Sequence, residues 1–206
     1  SSQNDERKNL LNEIHHRLKN NLHMISGMLK LQALESGNKE VEKQLDEAVE
    51  RIRSIALVHE KIYKSQNDKN LNFEDFVKPL TKELIDSFST ISGVKMDIDC
   101  NFKLKNTNPL PSLALILNEL ITNSLKYAFK NVKTAKVISI SISEKDENIR
   151  LNYSDNGNWI SNEKKSSLGL SLIDIFSEQL GGNFIRNTEN GTRYEFIFSN
   201  FYNDEI

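Results

Sequence analysis

The first third of the chain repeats its apolar residues at helical spacing. From about Glu6 to Gln32, Leu11, Ile14, Leu18, Ile25 and Met28 recur in three- and four-residue steps, with Leu22 and Leu29 beside them. That is the period of one amphipathic helix. The stretch LESGNKE supplies a turn, with Gly37 and Asn38 as its breaking pair. A second helix follows, in which Val41, Leu45, Ala48, Ile52, Ile55, His59 and Ile62 keep a heptad to about Lys64. Two long helices joined by a short turn predict an antiparallel hairpin. Apolar stripes this wide are not satisfied by one another alone, so a homodimeric four-helix bundle is the expected completion.

SQNDKN, residues 65–70, is polar and reads as a linker. The pattern then changes. FEDFVKPLTKELIDSF has helical spacing, VKMDIDC alternates, and Pro109 and Pro111 precede one long predicted helix, SLALILNELITNSLKYAF. The alternating segments VISISIS and NIRLNYS predict strands. A polar loop, the helix LGLSLIDIFSEQLGG and a terminal hairpin around Glu189, Asn190 and Gly191 complete the chain. Helices and strands mix without βαβ repetition. The expected class is therefore α+β: a helical hairpin over residues 1–68, then an α/β sandwich over 69–206 with helices on one face of a mixed sheet.

Composition narrows this picture. Hydrophobic residues make up 37% and charged residues 27% of 206 positions, a balance that supports a buried core. A formal net charge of −2 and the lack of a dense basic tract leave no electrostatic footprint for nucleic acid or an anionic membrane, so neither is expected as a partner. No apolar run approaches the roughly 20 residues of a membrane span. The polar start SSQNDERKN is not a signal peptide and reads as a cut from something longer. Cys100 stands alone, so no internal disulfide forms; a core role and a reducing, cytoplasmic setting are expected.

Candidate chemistry begins in EIHHRLKNNL, residues 13–22. With the stripe centred on Leu11, Leu18 and Ile25, His15 lies roughly 60° from its centre and His16 roughly 160° away, toward solvent. A neutral imidazole there offers a nucleophilic nitrogen near pH 7. The plain alternative is two helix-surface histidines. Metal chelation is set aside, because His16 and His23, seven residues apart, are roughly 10 Å apart along the axis. His59, on the seam of the second helix, reads as a hydrogen-bonded core histidine.

In the second region Glu119, Asn123 and Lys126 fall at i, i+4 and i+7, on one face of the long predicted helix. A carboxylate, an amide and an ammonium in a row suit a hard cation and phosphate, and equally suit a solvated polar face. In YSDNGNW, Asp155 could accept a hydrogen bond from a base amino group while Gly157 lets the backbone turn; the same tripeptide also makes ordinary turns. Gly169, in SSLGLSLI, marks a helix start whose N–H groups can hold phosphate. Gly191 and Thr192 carry GTRYEFIF into the last strand, as a hairpin turn, as support for a purine pocket, or as both.

The order of these segments is specific: E-I-H-H-R-x-K-N-N-L, N-E-L-x-T-N-x-x-K-Y-A, D-N-G, S-L-G-L, E-Q-L-G-G and G-T-x-Y. It resembles a sensor histidine kinase. The H-R-x-K-N box is similar to the HWE-related subclass, joined to an ATP-binding domain of the gyrase, chaperone, histidine kinase and MutL superfamily. The resemblance implies a phosphoacceptor and dimerisation hairpin followed by a catalytic domain that holds ATP and Mg²⁺. It implies His16 as the phosphorylated residue, Asn123 as the magnesium ligand with Glu119 and Lys126 as companions, and Asp155 and Gly157 as the adenine box. Gly169 becomes the lid glycine, and Thr192 supports the purine site. The implied partner is a response regulator whose aspartate receives the phosphoryl group.

Two departures bear on mechanism. Commoner relatives place a carboxylate after the phosphoacceptor; here Arg17 stands there, suited to neutralise charge on the transferred group. The proton then goes to Glu13 or to Glu119, and Asn20, one turn after His16, is a candidate for orienting water in dephosphorylation. The lid segment, residues 158–167, is short and poor in glycine, with Asn158 in place of a second box glycine and with Trp159, Ser166 and Ser167 in the loop, so weaker phosphate cradling is expected.

Overall fold

The computed structural model describes residues 2–65, 72–87, 93–100, 103–130, 132, 134–158, 167–199 and 201–202; within these, the side chains of residues 2–12, 15, 16, 54, 57–59, 61–65, 87, 167 and 168 fall outside the description. The chain divides into two compact units, Ser1–Lys64 and Ser65–Ile206.

The first unit consists of α1 (Ser2–Glu35) and α2 (Lys39–Ser65). The turn between them forms where the sequence predicts it. Gly37 takes φ +60°, the left-handed conformation that ends helices most cheaply in glycine. Asn38 then caps α2, its Oδ1 accepting the Glu40 N–H at 2.9 Å, with Glu40 and Glu42 complementing the helix dipole. Lys19 Nζ approaches Glu60 Oε2 at 3.5 Å across the pair.

The stripe on α1 sits differently from the expected one. Ser26 and Ala33 are buried, and Leu18, Leu22 and Leu29 are half-buried, so the covered side of α1 runs along these five. Ile14, Ile25 and Met28 remain 51%, 44% and 58% exposed. One neighbouring helix covers only one side of a stripe this broad, and it covers the side containing the small residues Ser26 and Ala33, which permit close approach. The expected directions of the His15, His16 and His59 side chains lie outside the described residues.

In the second unit, α3 (Phe73–Ser87) begins at Asn72, whose Oδ1 accepts the Glu74 N–H. β1 (Val94–Asp99) leads to α4 (Leu110–Asn123), where Pro111 in the first turn needs no intrahelical donor. After α4 come a π-helical turn (Ser124–Ala128), β2 (Lys136–Lys145) and β3 (Asn148–Asp155). β2 and β3 are joined at Asp146 and Glu147, whose φ values of 53° and 64° match a two-residue hairpin loop. The chain continues with α5 (Ser167–Gln179), β4 (Gly182–Asn187) and β5 (Thr192–Phe198).

The sheet order is β1-β2-β3-β5-β4, with β1 parallel to β2 and the other neighbours antiparallel. This is the mixed sheet the pattern predicts. Thr192, Tyr194, Phe196 and Phe198 are buried on β5 while the residues between them are exposed, so one face meets helices and the other meets solvent. Cys100 is buried beside Ile140, as expected of a core residue, and burial pushes its thiol up to about 12. Among the described residues no helix is long and apolar enough to cross a membrane.

One expectation changes here. The helix carrying Glu119, Asn123 and Lys126 is not α-helical throughout: it widens into the π-turn immediately after Asn123. An i→i+5 turn spreads its residues over a larger ring than an α-turn, so the α-helical count does not run unbroken from Asn123 to Lys126. The widened turn buries Ser124, Leu125, Ala128 and Phe129 together.

Candidate functional site

The site grows from the end of β3. Alternation along NIRLNYSD buries Ile149, Leu151 and Tyr153, and carries Asp155 inward at the strand's last position, 5% exposed. A carboxylate there demands donors. Its Oδ1 accepts the N–H of Gly157 at 2.9 Å and of Thr192 at 3.3 Å; its Oδ2 accepts the Ser124 hydroxyl at 2.5 Å. Burial raises the Asp155 pKa above the ordinary carboxylate range, and the bonds from Ser124, Gly157 and Thr192 pull it back down.

Two glycines make this geometry possible. A Cβ on Gly157 would stand 2.5 Å from the Cβ of Ala128 and 2.6 Å from its carbonyl oxygen, so only glycine lets the loop close on the π-turn. Asn158 N–H bonds to that same carbonyl at 2.9 Å. Gly191 has φ +86°, and a Cβ there would lie 2.1 Å from the Asp155 carbonyl oxygen. Between them Asn156 locks the loop, donating to the Ala135 carbonyl and accepting from the Val137 N–H, each at 2.8 Å. Thr192 begins β5 with its Oγ1 buried. By distance and angle that hydroxyl has no hydrogen-bond partner, although it lies close enough to Asp155 to favour the charged carboxylate.

The structure thus brings Asp155, Gly157 and Thr192 together. Asn123 is half-buried at the end of α4, one residue before Ser124; Glu119 is buried one turn earlier, and Lys126 is half-buried within the π-turn. Gly169 is buried as the third residue of α5. Trp159 and Ser166 lie outside the described residues, as does the lid segment over 159–166. In the first unit Arg17 is exposed and donates through Nε at 3.1 Å and Nη2 at 2.7 Å to Glu13 Oε1, so the two residues weighed there for separate roles are partners. Sequence reasoning missed Ser124, Tyr153 and Asn156. Ser124 adjoins Asn123 and Tyr153 lies two residues before Asp155, but what joins them is tertiary pairing.

These residues fit a purine. A largely satisfied carboxylate keeps an acceptor for an amino group, and the Thr192 hydroxyl beside it is unused. A hollow of about 270 Å³ adjoins the same loop on the open face of the sheet. Its lining combines Ser139, Ser154 and Arg193, which alternate with the buried register of Asp155, with Asp155, Gly191 and Thr192 themselves. Among the described residues no cluster of three His, Cys, Asp or Glu could hold a metal. Asn123 nevertheless offers the single amide oxygen that suffices for a magnesium ion carried largely by phosphates and water.

A mixed sheet backed by helices on one face, with a buried carboxylate and a glycine turn at a strand end, defines the α/β-sandwich class expected from the sequence. The family described as Histidine kinase matches residues 13–88. The family described as Histidine kinase-, DNA gyrase B-, and HSP90-like ATPase matches residues 110–200. The chain thus carries, in order, the two histidine kinase domains that its motifs predict.

Sensor histidine kinase PdtaS of Mycolicibacterium smegmatis is 28% identical over 167 residues, 79% of this chain and 33% of that protein. PdtaS of Mycobacterium tuberculosis is 28% identical over 177 residues, 84% of this chain and 35% of that protein. The chain therefore spans about a third of the length of these curated relatives. The histidine kinase domain of the Erythrobacter litoralis EL346 blue-light activated histidine kinase shares the fold, with a TM-score of 0.64 at 16% identity over 97% of this chain and 94% of that one.

Proposed function

We propose that the chain is the catalytic core of a two-component sensor histidine kinase, an ATP-dependent protein-histidine kinase working in the cytoplasm. Residues 1–68 serve as the dimerisation and phosphotransfer hairpin, and residues 69–206 as the ATP-binding domain. The observation that carries this reading is the Asp155 carboxylate, buried, held by three donors and flanked by an unused Thr192 hydroxyl. Such a group is costly to bury and contributes little to packing, but it matches the amino edge of adenine.

In this reading Asp155, Gly157 and Thr192 hold the base, and Lys126 and the N–H groups around Gly169 hold phosphate oxygens. Asn123 would hold Mg²⁺, which would neutralise charge on the phosphates. A ring nitrogen of His16 attacks the γ-phosphorus in line: a nitrogen–phosphorus bond forms, the bond to the β-phosphate oxygen breaks, ADP leaves, and the imidazole proton passes to Glu119. Arg17 neutralises charge on the group in transit. The phosphoryl group then moves from His16 to an aspartate of a response regulator receiver domain.

The exposed Ile14, Ile25, Met28 and Leu31 of α1, with Val41 of α2, support a homodimer through the hairpin. The test is incubation with γ-labelled ATP and Mg²⁺, comparing the wild type with His16→Ala and His15→Ala. Acid-labile protein label lost only in His16→Ala is expected. Absence of label from the wild type would mean a phosphotransfer or scaffold protein with a vestigial nucleotide domain, and phosphate release without label would mean a free-standing ATPase.

A further inference from the structure

The Asp155 carboxylate has about four acceptor positions. Gly157 N–H and Thr192 N–H fill both on Oδ1, and Ser124 Oγ fills one on Oδ2. The Thr192 hydroxyl lies close to the carboxylate without a hydrogen bond that meets distance and angle, so the position left over is on Oδ2, the oxygen that Ser124 holds. Ser124 is itself held: its Oγ lies 2.7 Å from the Tyr153 hydroxyl, which lies 3.1 Å from the Leu120 carbonyl oxygen. Both residues are 1% exposed, so the protons of these hydroxyls have no solvent to turn to.

Counting protons fixes the order. Ser124 has one proton, and while it goes to Asp155 the contact with Tyr153 is filled by the tyrosine's proton, with the Leu120 carbonyl as that proton's second acceptor. Chains of this kind polarise one another and stiffen. If Asp155 takes up a proton, every link can reverse: carboxyl to Ser124, Ser124 to Tyr153, Tyr153 to the Leu120 carbonyl. Both protonation states of the carboxyl are then served without an orphaned hydroxyl, and only the ionised state keeps the free acceptor on Oδ2.

We infer that Ser124 and Tyr153 form a hydroxyl relay that positions Asp155, aiming the one remaining acceptor of Oδ2 at the exocyclic amino group of a purine. They are positioning residues, acting through Asp155, and the inference rests on the reading of Asp155 as the adenine acceptor. The sequence device is small: the residue after Asn123 bears a hydroxyl, and the residue two before Asp155 is a tyrosine in the buried register of β3. The π-turn holds Ser124 against β3, because its first residue is Ser124 and its last, Ala128, seats the loop at Gly157.

The groups that face Asp155 leave this relay as its main adjustable partner. Tyr153 on its own strand and Tyr194 on β5 both feel its charge, and burial pushes both above the ordinary tyrosine value, so they stay neutral while the carboxyl titrates. Beyond Tyr194 lie Arg186 of β4 and Asp174 of α5, acting on that tyrosine with opposite signs. Lys126 and Tyr127 of the π-turn and Glu119 of α4 are the ionisable groups of this helix nearest in sequence to Ser124. The Ser124 bond favours the charged carboxylate, against burial. Its loss raises the Asp155 pKa further, and a site that needs the ionised acceptor then fails at a higher pH on acidification.

The test is calorimetric titration of the full chain with Mg-ADP and with Mg-GDP from acid to neutral pH, for the wild type, Ser124→Ala, Ser124→Thr and Tyr153→Phe. Ser124→Ala is expected to weaken ADP binding about tenfold or more, the scale of a hydrogen bond to a charged group, and to move the acid loss of binding to higher pH. Ser124→Thr restores both, Tyr153→Phe shifts both in the same direction by less, and GDP binds poorly throughout. An unmoved pH profile in Ser124→Ala, even with weaker binding, overturns the relay and leaves only packing. Should circular dichroism show Ser124→Ala unfolded, Tyr153→Phe, which removes one oxygen, decides in its place, and a wild-type profile there overturns the proposal. No ADP heat from the wild type overturns the adenine reading itself, an outcome distinct from the others.

Discussion

The two units bury their apolar residues in opposite ways. In the hairpin, among the described residues, Ala33 and Val49 are the buried apolar side chains, while Ile14, Met24, Ile25, Met28, Leu31 and Leu34 stand exposed. In the second unit Phe73, Leu80, Leu113, Leu117, Tyr153, Tyr194, Phe196 and Phe198 are almost wholly buried around one sheet face. The second unit is packed from its own residues. The hairpin has its apolar surface turned outward, and hydrophobic burial is its chief potential source of stability. The contrast supports the proposed division of labour, in which one unit holds nucleotide and the other is completed by association.

The largest effect that would sharpen this contrast is expected in the sheet. Phe196 packs with ring centroids 5.2 Å from Phe184, 5.9 Å from Tyr194 and 5.7 Å from Phe198. Phe196→Ala is expected to cost about 3–5 kcal/mol, the sum of lost transfer energy and a cavity. Hydrogen exchange read peptide by peptide checks it: protection should fall across β3, β4 and β5 and stay unchanged in α1 and α2. Equal loss in the hairpin would mean that the two units fold as one, against the contrast.

The next effect lies in the hairpin. Ile25→Asp with Met28→Asp places two charges on its exposed apolar side, each replacing a side chain whose full burial is worth about 1.5–3 kcal/mol. Self-association measured by light scattering should weaken by tenfold or more, while ADP binding by the second unit stays at the wild-type value. A mass unchanged by the substitutions would remove that surface from any interface.

How much of this the sequence discloses follows the same division. The strands β2, β3 and β5 are legible because a sheet with one solvated face enforces a period of two, and VISISIS, NIRLNYS and TRYEFIF show it plainly. Hairpin direction on α1 is less legible. Apolar residues occupy more than one side of that helix, and the pattern alone does not say whether the neighbour takes Ile25 or Ser26; packing chose the smaller residues. The π-turn is hidden, since nothing in NSLKYAF sets it apart from an α-helical stretch, and the α-helical count from Asn123 to Lys126 runs into it. Asp155, Gly157 and Thr192, which the structure brings together, are legible only through the order of the motifs, because D-N-G alone also makes ordinary turns. Ser124 and Tyr153 were not, because a buried hydroxyl gains its meaning only from the residue packed against it.

The smallest effect concerns Glu13. Its Oε1 accepts two bonds from Arg17, and both side chains are largely exposed. An exposed i,i+4 pair contributes about 0.3–0.5 kcal/mol and fades with salt. Glu13→Ala should therefore lower hairpin stability by no more than that, with the difference vanishing at high ionic strength. Its effect on histidine labelling separates two roles. Removal of a general base costs roughly 10²-fold or more, whereas removal of a partner that only holds Arg17 leaves labelling well above that floor, because the guanidinium keeps its charge. The pairing in the structure favours the second outcome, since Oε1 of Glu13 is already taken up by the Arg17 guanidinium. A drop of 10²-fold or more in label, at unchanged hairpin stability, would instead make Glu13 the base and relieve Glu119 of that role.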